Sequence, residues 1–467
     1  NDYDVKVIKI TPGIDTEPAI IEKGYGDLAA ALANASHMIE LELRIGRHSG
    51  VPLETRGAIA RYDDAMGRLE LYGAAKVPHY NRDAIAEMLG LSRHGLELFE
   101  GHVGGGFGVR GELYPEDVLV CLGALRLGRA IKWIEDRREH LVATNHSRDQ
   151  VHRVRAGFDD RGFILGLDDE FWSDQGAYVR THGATVSDIG SAMLPGPYVM
   201  PAFRTRGHIR MTNKTPAGTY RAPGRFESTF VRERLLDAVA NRLGLDRIDV
   251  RRVNFIDPAD MPFSRYYGAL ETTAIYDSGD YKRLLDRLLS HVDFDQLESD
   301  LSERRKDGEL VGAGLGYYVE KSGLGPYDDV RVEIDAYGDI EVVTGVASIG
   351  QGVETAIAQI CAEALGVDYR TVRVTHGQTD RIARGLGAFA SRVTVMTGTA
   401  TFDAASRLKQ ILCETAASLL QNPIADMEIV NGRARIADEP DGRSVSLAEI
   451  AGAVIRASDA DVVSVEA

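Results

Sequence analysis

Residues 101–120, GHVGGGFGVRGELYPEDVLV, set Gly106-x-Gly108-x-x-Gly111 between an apolar segment and a helix-like one. Glycines so spaced let a backbone approach a phosphate closely, and a helix N-terminus behind them adds a favourable dipole. For a dinucleotide loop, LELFEGHV supplies a strand, EDVLVCLGALRLG a helix, and Glu135 or Asp136 stands near the place of a ribose-binding acid. Pro115 argues against that reading. In the dinucleotide fold the helix starts near the second glycine, so Pro115 would fall inside it at a cost of roughly 3 kcal/mol. It suits instead the first turn of a helix that starts near residue 115, with Glu116 and Asp117 at the positive end. No further βαβ units follow, and a simple tight packing turn stays open as a reading of these glycines.

Other chemistries have less support. Cys121, Cys361 and Cys413 are the three cysteines, each alone in an apolar segment. They predict buried structural thiols, with neither a disulfide framework nor a cysteine-held zinc or iron–sulphur centre. No His/Asp/Glu cluster has zinc spacing and no G-x-S-x-G elbow occurs. His79 and His182 sit near glycine-bearing loops and could line a substrate funnel, but a histidine beside a loop is more often simply solvated or hydrogen-bonded. With 54 Lys+Arg against 70 Asp+Glu, a net charge of −16 and no basic block, the composition does not suit nucleic acid or an anionic membrane. No apolar run reaches the roughly 18 residues of a spanning helix, and Asn1-Asp2-Tyr3-Asp4 does not begin a signal peptide, so a cytoplasmic location is expected.

The elements that must position these residues come in runs. A helix is expected over 26–35, a strand over 38–45, and a helix from an Asn81 N-cap through Leu89, closed by a left-handed Gly90. Strands follow in AIKWIED, QVHRVRAGF, FILGLDDEFW and FRTRGHIRMT, then an amphipathic helix over 226–243 and a connection over 256–277. A second part has a hairpin in DDVRVEIDAYGDIEVVTGV, a glycine loop opening a helix at SIGQGVETAIAQICAEALG, a strand TVRVTHG and a helix from about Ser391 to Gln421. The hairpin MEIVNGRARI, with Asn431-Gly432 in a primed turn, and the helix SLAEIAGAVIRA close the pattern. Runs of strands then helices predict α+β.

Eight stretches in order, HSGVPLETRGAIARYD, HVGGGFGVRGELYPED, IKWIEDRREHL, SDQGAY, LPGPYVMPAFR, GTYRAPGRFES, IGQGVET and GAFASRVTVMTGTA, resemble the molybdopterin-binding large subunit of the xanthine dehydrogenase family of molybdenum hydroxylases. The branch they resemble most is that of aerobic carbon monoxide dehydrogenase large subunits. The resemblance implies two mixed α/β molybdenum-cofactor-binding domains, incomplete at both ends: a lead-in over 1–37 from a hammerhead-like region, a first domain over 38–265, a connection over 266–284 and a second, truncated domain over 285–467. It implies molybdenum with molybdopterin cytosine dinucleotide, held by Gly105, Gly106, Phe107, Gly108, Arg221, Gly350, Gln351, Gly352, Ser391, Arg392 and Thr394, with Arg225 as a neighbour. For Gln351 a helix-capping role, and for Arg392 a surface ion pair, are the structural alternatives.

Departures from the family pattern shape the expected activity. Lys76 stands where the family has a glutamine that bonds the apical oxo ligand; it either retunes the metal site or turns to solvent. Ala222 stands where carbon monoxide dehydrogenases carry a copper-binding cysteine, which makes carbon monoxide an unsuitable substrate. Gly111 replaces the glutamate with which purine oxidisers grip their heterocycle. The catalytic glutamate expected near a C-terminal Gly-Glu motif is absent from this chain. What remains implied is an enzyme, a molybdenum-dependent oxidoreductase that oxidises an aldehyde or N-heterocycle with oxygen from water, and an isolated chain without activity. Electrons would leave to an iron–sulphur small subunit and an FAD-binding medium subunit, and a separate chain would carry the catalytic segment. The alternative is a non-catalytic cofactor-binding or assembly module.

Overall fold

Alternation of apolar and charged residues along QVHRVRAGF and its neighbours builds the largest sheet, seen in a computed structural model that describes residues 16–73, 76–265, 273–439, 441–458 and 460–467. The strand order is Ala19–Tyr25, Ala202–Arg210, Ile164–Asp174, Asp149–Phe158, His37–Ile45. Only Ile164–Asp174 and Ala202–Arg210 pair in parallel, and the crossover between them carries the helix Gly183–Met193. One face presents Val154, Ala156, Leu167 and Phe203, in one core with Leu235, Leu236 and Val239 of the helix Arg225–Leu243. The other face is a charged ladder in which Arg204 holds Asp168 through two 2.8 Å bonds. This sheet belongs to a unit made of the described residues up to Gly50 together with Ala143–Glu320.

A second unit joins Val51–Val142 to Lys321–Ala467. In it, Leu96–Phe99, Arg68–Tyr72, Gly57–Asp63 and Ile131–Ile134 form one four-stranded sheet, covered by the helices Pro78–Leu89 and Pro115–Leu127. Val372–Thr375, Ile340–Thr344, Val330–Asp335 and Val462–Glu466 form another, under the helices Val353–Leu365 and Gly398–Leu420. This is the α+β architecture that the runs of strands predict.

Pro115 does occupy the first helical turn, and Gly90 closes its helix at φ 67°. Asn81, however, is not an N-cap. The helix begins at Pro78, whose fixed φ and missing N–H suit the first turn, so Asn81 lies inside it with a buried side chain. The helix expected from Ser391 starts later, at Gly398, after a wider π-type turn over Val393–Thr397. Asn431 and Gly432 take φ of 49° and 73°, as a primed turn requires. The strand Val462–Glu466, which no sequence signal announced, pairs antiparallel with Val330–Asp335. All three cysteines are buried, and burial pushes the Cys121 and Cys361 thiols up to about 12. Among the described residues no helix is long and apolar enough to cross a membrane.

Candidate cofactor-binding loops

The expected site residues fall in the second unit, except Arg221 with its neighbour Arg225, and His182, which lie in the first. The strand Leu96–Phe99 leads into the glycine loop, where Gly105, Phe107 and Gly108 take φ of 100°, 50° and 105°. Phe107 pays strain for that conformation, which a loop keeps only when its surroundings impose it. Two residues whose role no local sequence signal marks, Glu54 and Arg110, impose it here. Glu54 Oε2 accepts the Gly104 N–H at 2.6 Å, and the buried Arg110 donates to Gly105 O at 3.0 Å, to Glu54 Oε2 at 3.0 Å and to Thr55 O at 2.9 Å. Both stand inside the quoted motifs, so the motif set contained them without revealing their task. So shaped, the loop leaves the amides of Gly106, Phe107 and Gly108 without a partner among the described residues. Three successive free donors form a concave cradle for an anionic or strongly polar oxygen. Phe107 is half exposed, its ring folded over Gly105.

A second glycine loop packs against the first. A Cβ on Gly106 would lie 3.3 Å from Ile349 Cδ1, and one on Gly350 would lie 3.7 Å from Val103 O. Gly350 and Gly352 are left-handed at φ 93° and 76°, and Gly352 begins the helix Val353–Leu365. Gln351 turns back on its own loop: Oε1 accepts the Ile349 N–H at 2.6 Å and Nε2 donates to Ala347 O at 3.0 Å. It caps nothing, because the helix has no side-chain cap.

The third loop carries two consecutive left-handed residues other than glycine, Ala390 at φ 48° and Ser391 at φ 51°. Ser391 and Thr394 are exposed. Arg392 is fully buried and donates to Asp328 at 2.7 Å, Leu324 O at 2.9 Å, Gly387 O at 3.2 Å and Tyr327 O. Thr397 also donates to Asp328, whose carboxyl burial holds above its ordinary value against these bonds. The arginine is thus neither on the surface nor at the loop's exposed tip.

Lys76 ties the first and third loops together. Its N–H donates to Arg110 O at 3.1 Å and its carbonyl accepts from Ala388 N–H at 2.9 Å. The side chain is buried, 6% exposed, which rules out a lysine turned to solvent. Burial pulls its ammonium down to about 8 against the opposing pull of Glu112. A Cβ on Gly111 would lie 2.4 Å from Lys76 Cε. The two departures from the family pattern are therefore one packing event: the long side chain at 76 occupies the space that a side chain at 111 would need. Nearby, Glu100 at the mouth of the glycine loop is 3% exposed with both carboxylate oxygens unpartnered, and burial lifts it well above the usual carboxylate range. His79 is buried with Nε2 3.0 Å from Ile382 O, whereas His182 is exposed at the start of Gly183–Met193.

Arg221 lies in the first unit, on a loop where Ala222 and Gly224 take φ of 50° and 77°. A Cβ on Gly224 would lie 2.6 Å from Val186 O and Gly190 N, so this turn needs glycine. Beneath it the buried Arg148 donates to Glu227 at 2.6 Å and to Gly218 O at 3.2 Å. Arg221 itself is exposed, and Arg225 pairs with Glu320 at 2.9 Å. Among the described residues no group of three or more His, Cys, Asp or Glu side chains gathers to hold a metal ion directly.

The polar groups in these loops are backbone donors, glycine gaps and single side chains, the donor set that a pterin with a phosphate tail requires. Two molybdopterin cofactor-binding domain models match residues 14–255 and 287–466. The 6-hydroxypseudooxynicotine dehydrogenase complex subunit gamma of Paenarthrobacter nicotinovorans is 38% identical over 96% of this chain and 56% of its own length. The nicotine 6-hydroxylase large subunit of the same organism is 30% identical over 92% of this chain and 54% of its own. The structure of quinoline 2-oxidoreductase from Pseudomonas putida 86 superposes with a TM-score of 0.89 at 31% identity, covering 97% of this chain and 59% of that one. The chain spans a little over half the length of these relatives. It belongs to the molybdopterin cofactor-binding subunits of the xanthine dehydrogenase family.

Proposed function

We propose that this chain holds molybdopterin cytosine dinucleotide in a cytoplasmic molybdenum hydroxylase that oxidises an N-heterocycle or an aldehyde with oxygen from water. The observation that carries the reading is that, within one unit, the 349–352 loop packs on the 104–108 loop and Lys76 ties that loop to the 387–392 loop. The bound cofactor supplies two-electron oxidation at its metal. Of the residues present, Gly106, Phe107 and Gly108 offer amides to the cofactor's polar oxygens, Gly350 and Gly352 give its ring system close backbone access, and Ser391 and Thr394 offer hydroxyls to the phosphate tail. Arg392 acts behind that edge by fixing the segment around Asp328. Arg221, exposed on the loop of the first unit, is assigned to the cofactor on the family resemblance. Phe107 is an apolar wall, and Lys76 places a buried, titratable ammonium, a donor with no acceptor, beside the loop, where the family has a glutamine.

N-heterocycles are favoured by the relatives named nicotine 6-hydroxylase and quinoline 2-oxidoreductase. The general base comes from large-subunit polypeptide outside these residues, and an iron–sulphur subunit and an FAD subunit carry the electrons onward. A second reading, a cofactor-holding module without turnover, draws on Lys76. The test is purification of the chain with the products of neighbouring genes, followed by measurement of molybdenum, cytosine nucleotide and dye reduction. About one molybdenum and one cytosine nucleotide per chain with turnover of N-heterocycles supports the enzyme. Full loading without turnover on any heterocycle or aldehyde supports the module, and absence of both ligands overturns the assignment.

A further inference from the structure

The segment 309–320, ELVGAGLGYYVE, follows the helix Phe294–Lys306 in the first unit and belongs to no helix or strand. Its side chains nonetheless alternate as a strand's do. Val311, Ala313, Leu315, Tyr317 and Val319 turn inward, Tyr317 into the core with Phe255, while Gly312, Gly314, Gly316 and Tyr318 are exposed. In an extended chain the N–H and C=O of one residue point to the same edge, so odd and even residues define opposite edges. Three arginines occupy the odd edge: Arg305 donates to Val311 O at 3.0 Å, Arg247 to Ala313 O at 2.9 Å and Arg232 to Tyr317 O at 2.7 Å. On the even edge, the N–H and C=O groups of Gly312, Gly314, Gly316 and Tyr318 have no partner among the described residues.

Proteins that must not pair at an edge protect it with lysine, proline, a bulge or a covering element. Among the described residues this edge has none of these. Three of its four residues are glycine, and a Cβ on Gly312 or Gly314 would meet nothing within 4 Å. Glycine in an extended segment weakens it unless another backbone comes close.

The geometry points to residues 311–319 as an acceptor strand, to which a second extended polypeptide adds along the even edge. The occupant is a strand from the part of the large-subunit polypeptide that this chain does not span, since the relatives match over only 56% and 54% of their length. This rests on reading the chain as part of such a subunit. Main-chain pairing supplies the attraction, and the exposed Tyr318 beside the edge gives one apolar side chain for the incoming strand to cover.

The test is residue-resolved amide hydrogen exchange on the assembled complex purified from its host, with molybdenum measured on the same sample. The amides of Gly312, Gly314, Gly316 and Tyr318 are expected to exchange at least 100-fold more slowly than in an unstructured peptide. Exchange at the unstructured rate overturns the assignment whatever the molybdenum content. Slow exchange seen only in a species of two copies of this chain also overturns it, because the occupant would then be a second copy. Slow exchange in a complex without molybdenum leaves the edge assignment standing and tells against the proposed function instead.

Discussion

Each unit hides one arginine–carboxylate pair behind a strained loop, and the two loops use their own arginines in opposite ways. In the first unit the pair is Arg148 with Glu227, both beneath the 218–225 loop, and the loop's own Arg221 stays exposed. In the second the loop's own Arg392 is the buried partner, of Asp328, and the exposed groups are the Ser391 and Thr394 hydroxyls. The difference teaches that an arginine in a glycine-bearing loop stays open to solvent only where the fold offers it no internal acceptor. Where a carboxylate and several carbonyls converge on it, it becomes part of the frame.

The largest effect comes from breaking the frames. Arg392→Ala leaves Asp328 buried and unpaired and is expected to cost about 3–5 kcal/mol, as is Arg148→Ala through Glu227. Arg221→Ala, by contrast, should stay within about 0.5 kcal/mol while lowering cofactor retention. Urea unfolding beside molybdenum content per chain separates the two kinds. Equal destabilisation by Arg221→Ala and Arg392→Ala would end the comparison.

Next in size is the titration of Lys76. Its folded value of about 8 lies below that of an unfolded lysine, so between about 8 and 10.5 the unfolded chain binds more protons and stability rises with pH. Relative to Lys76→Met, the native protein should therefore gain on the order of 3 kcal/mol across that window, with no differential slope below it. Parallel unfolding curves at every pH from 7 to 10.5 would show that Lys76 is not held in this environment.

A smaller effect tests the packing link between the two departures. Gly111→Ala alone should destabilise by about 1 kcal/mol, because the new methyl meets Lys76 Cε. Combined with Lys76→Gln, a shorter side chain, that penalty should largely vanish; additive penalties in the double-mutant cycle would deny the link. Smallest is Gln351→Ala, about 1 kcal/mol or less, since its side chain is exposed and its bonds go only to neighbouring backbone of its own loop. A loss of cofactor far exceeding that change would show that Gln351 swings away from the loop to bind it.

The architecture was legible because it rests on local signals. Alternation in QVHRVRAGF, the proline at 115 and the Asn431-Gly432 turn each act within a few residues. Asn81 misled because two start signals compete, and the proline three residues earlier fixes the first turn more firmly than an asparagine cap. The strand Val462–Glu466 was silent because its partner, Val330–Asp335, lies far away in the chain. Glu54 and Arg110 were silent for the same reason: nothing in their spacing says that they meet at Gly104 and Gly105.

The sequence by itself determined where the backbone is free to take left-handed turns, which loops carry glycine beside a helix start, and that too few cysteines exist to hold a cluster. Those are properties of residue type and near neighbours. Only the tertiary structure decided that residues 51–142 and 321–467 share one unit, so that the 104–108, 349–352 and 387–392 loops converge. It alone decided that Arg392 is spent on Asp328 and that Lys76 is buried in the space left by Gly111. Whether a charge faces solvent, a carboxylate or a backbone gap depends on residues brought together from distant parts of the chain, and burial then sets what that charge costs and what it can do.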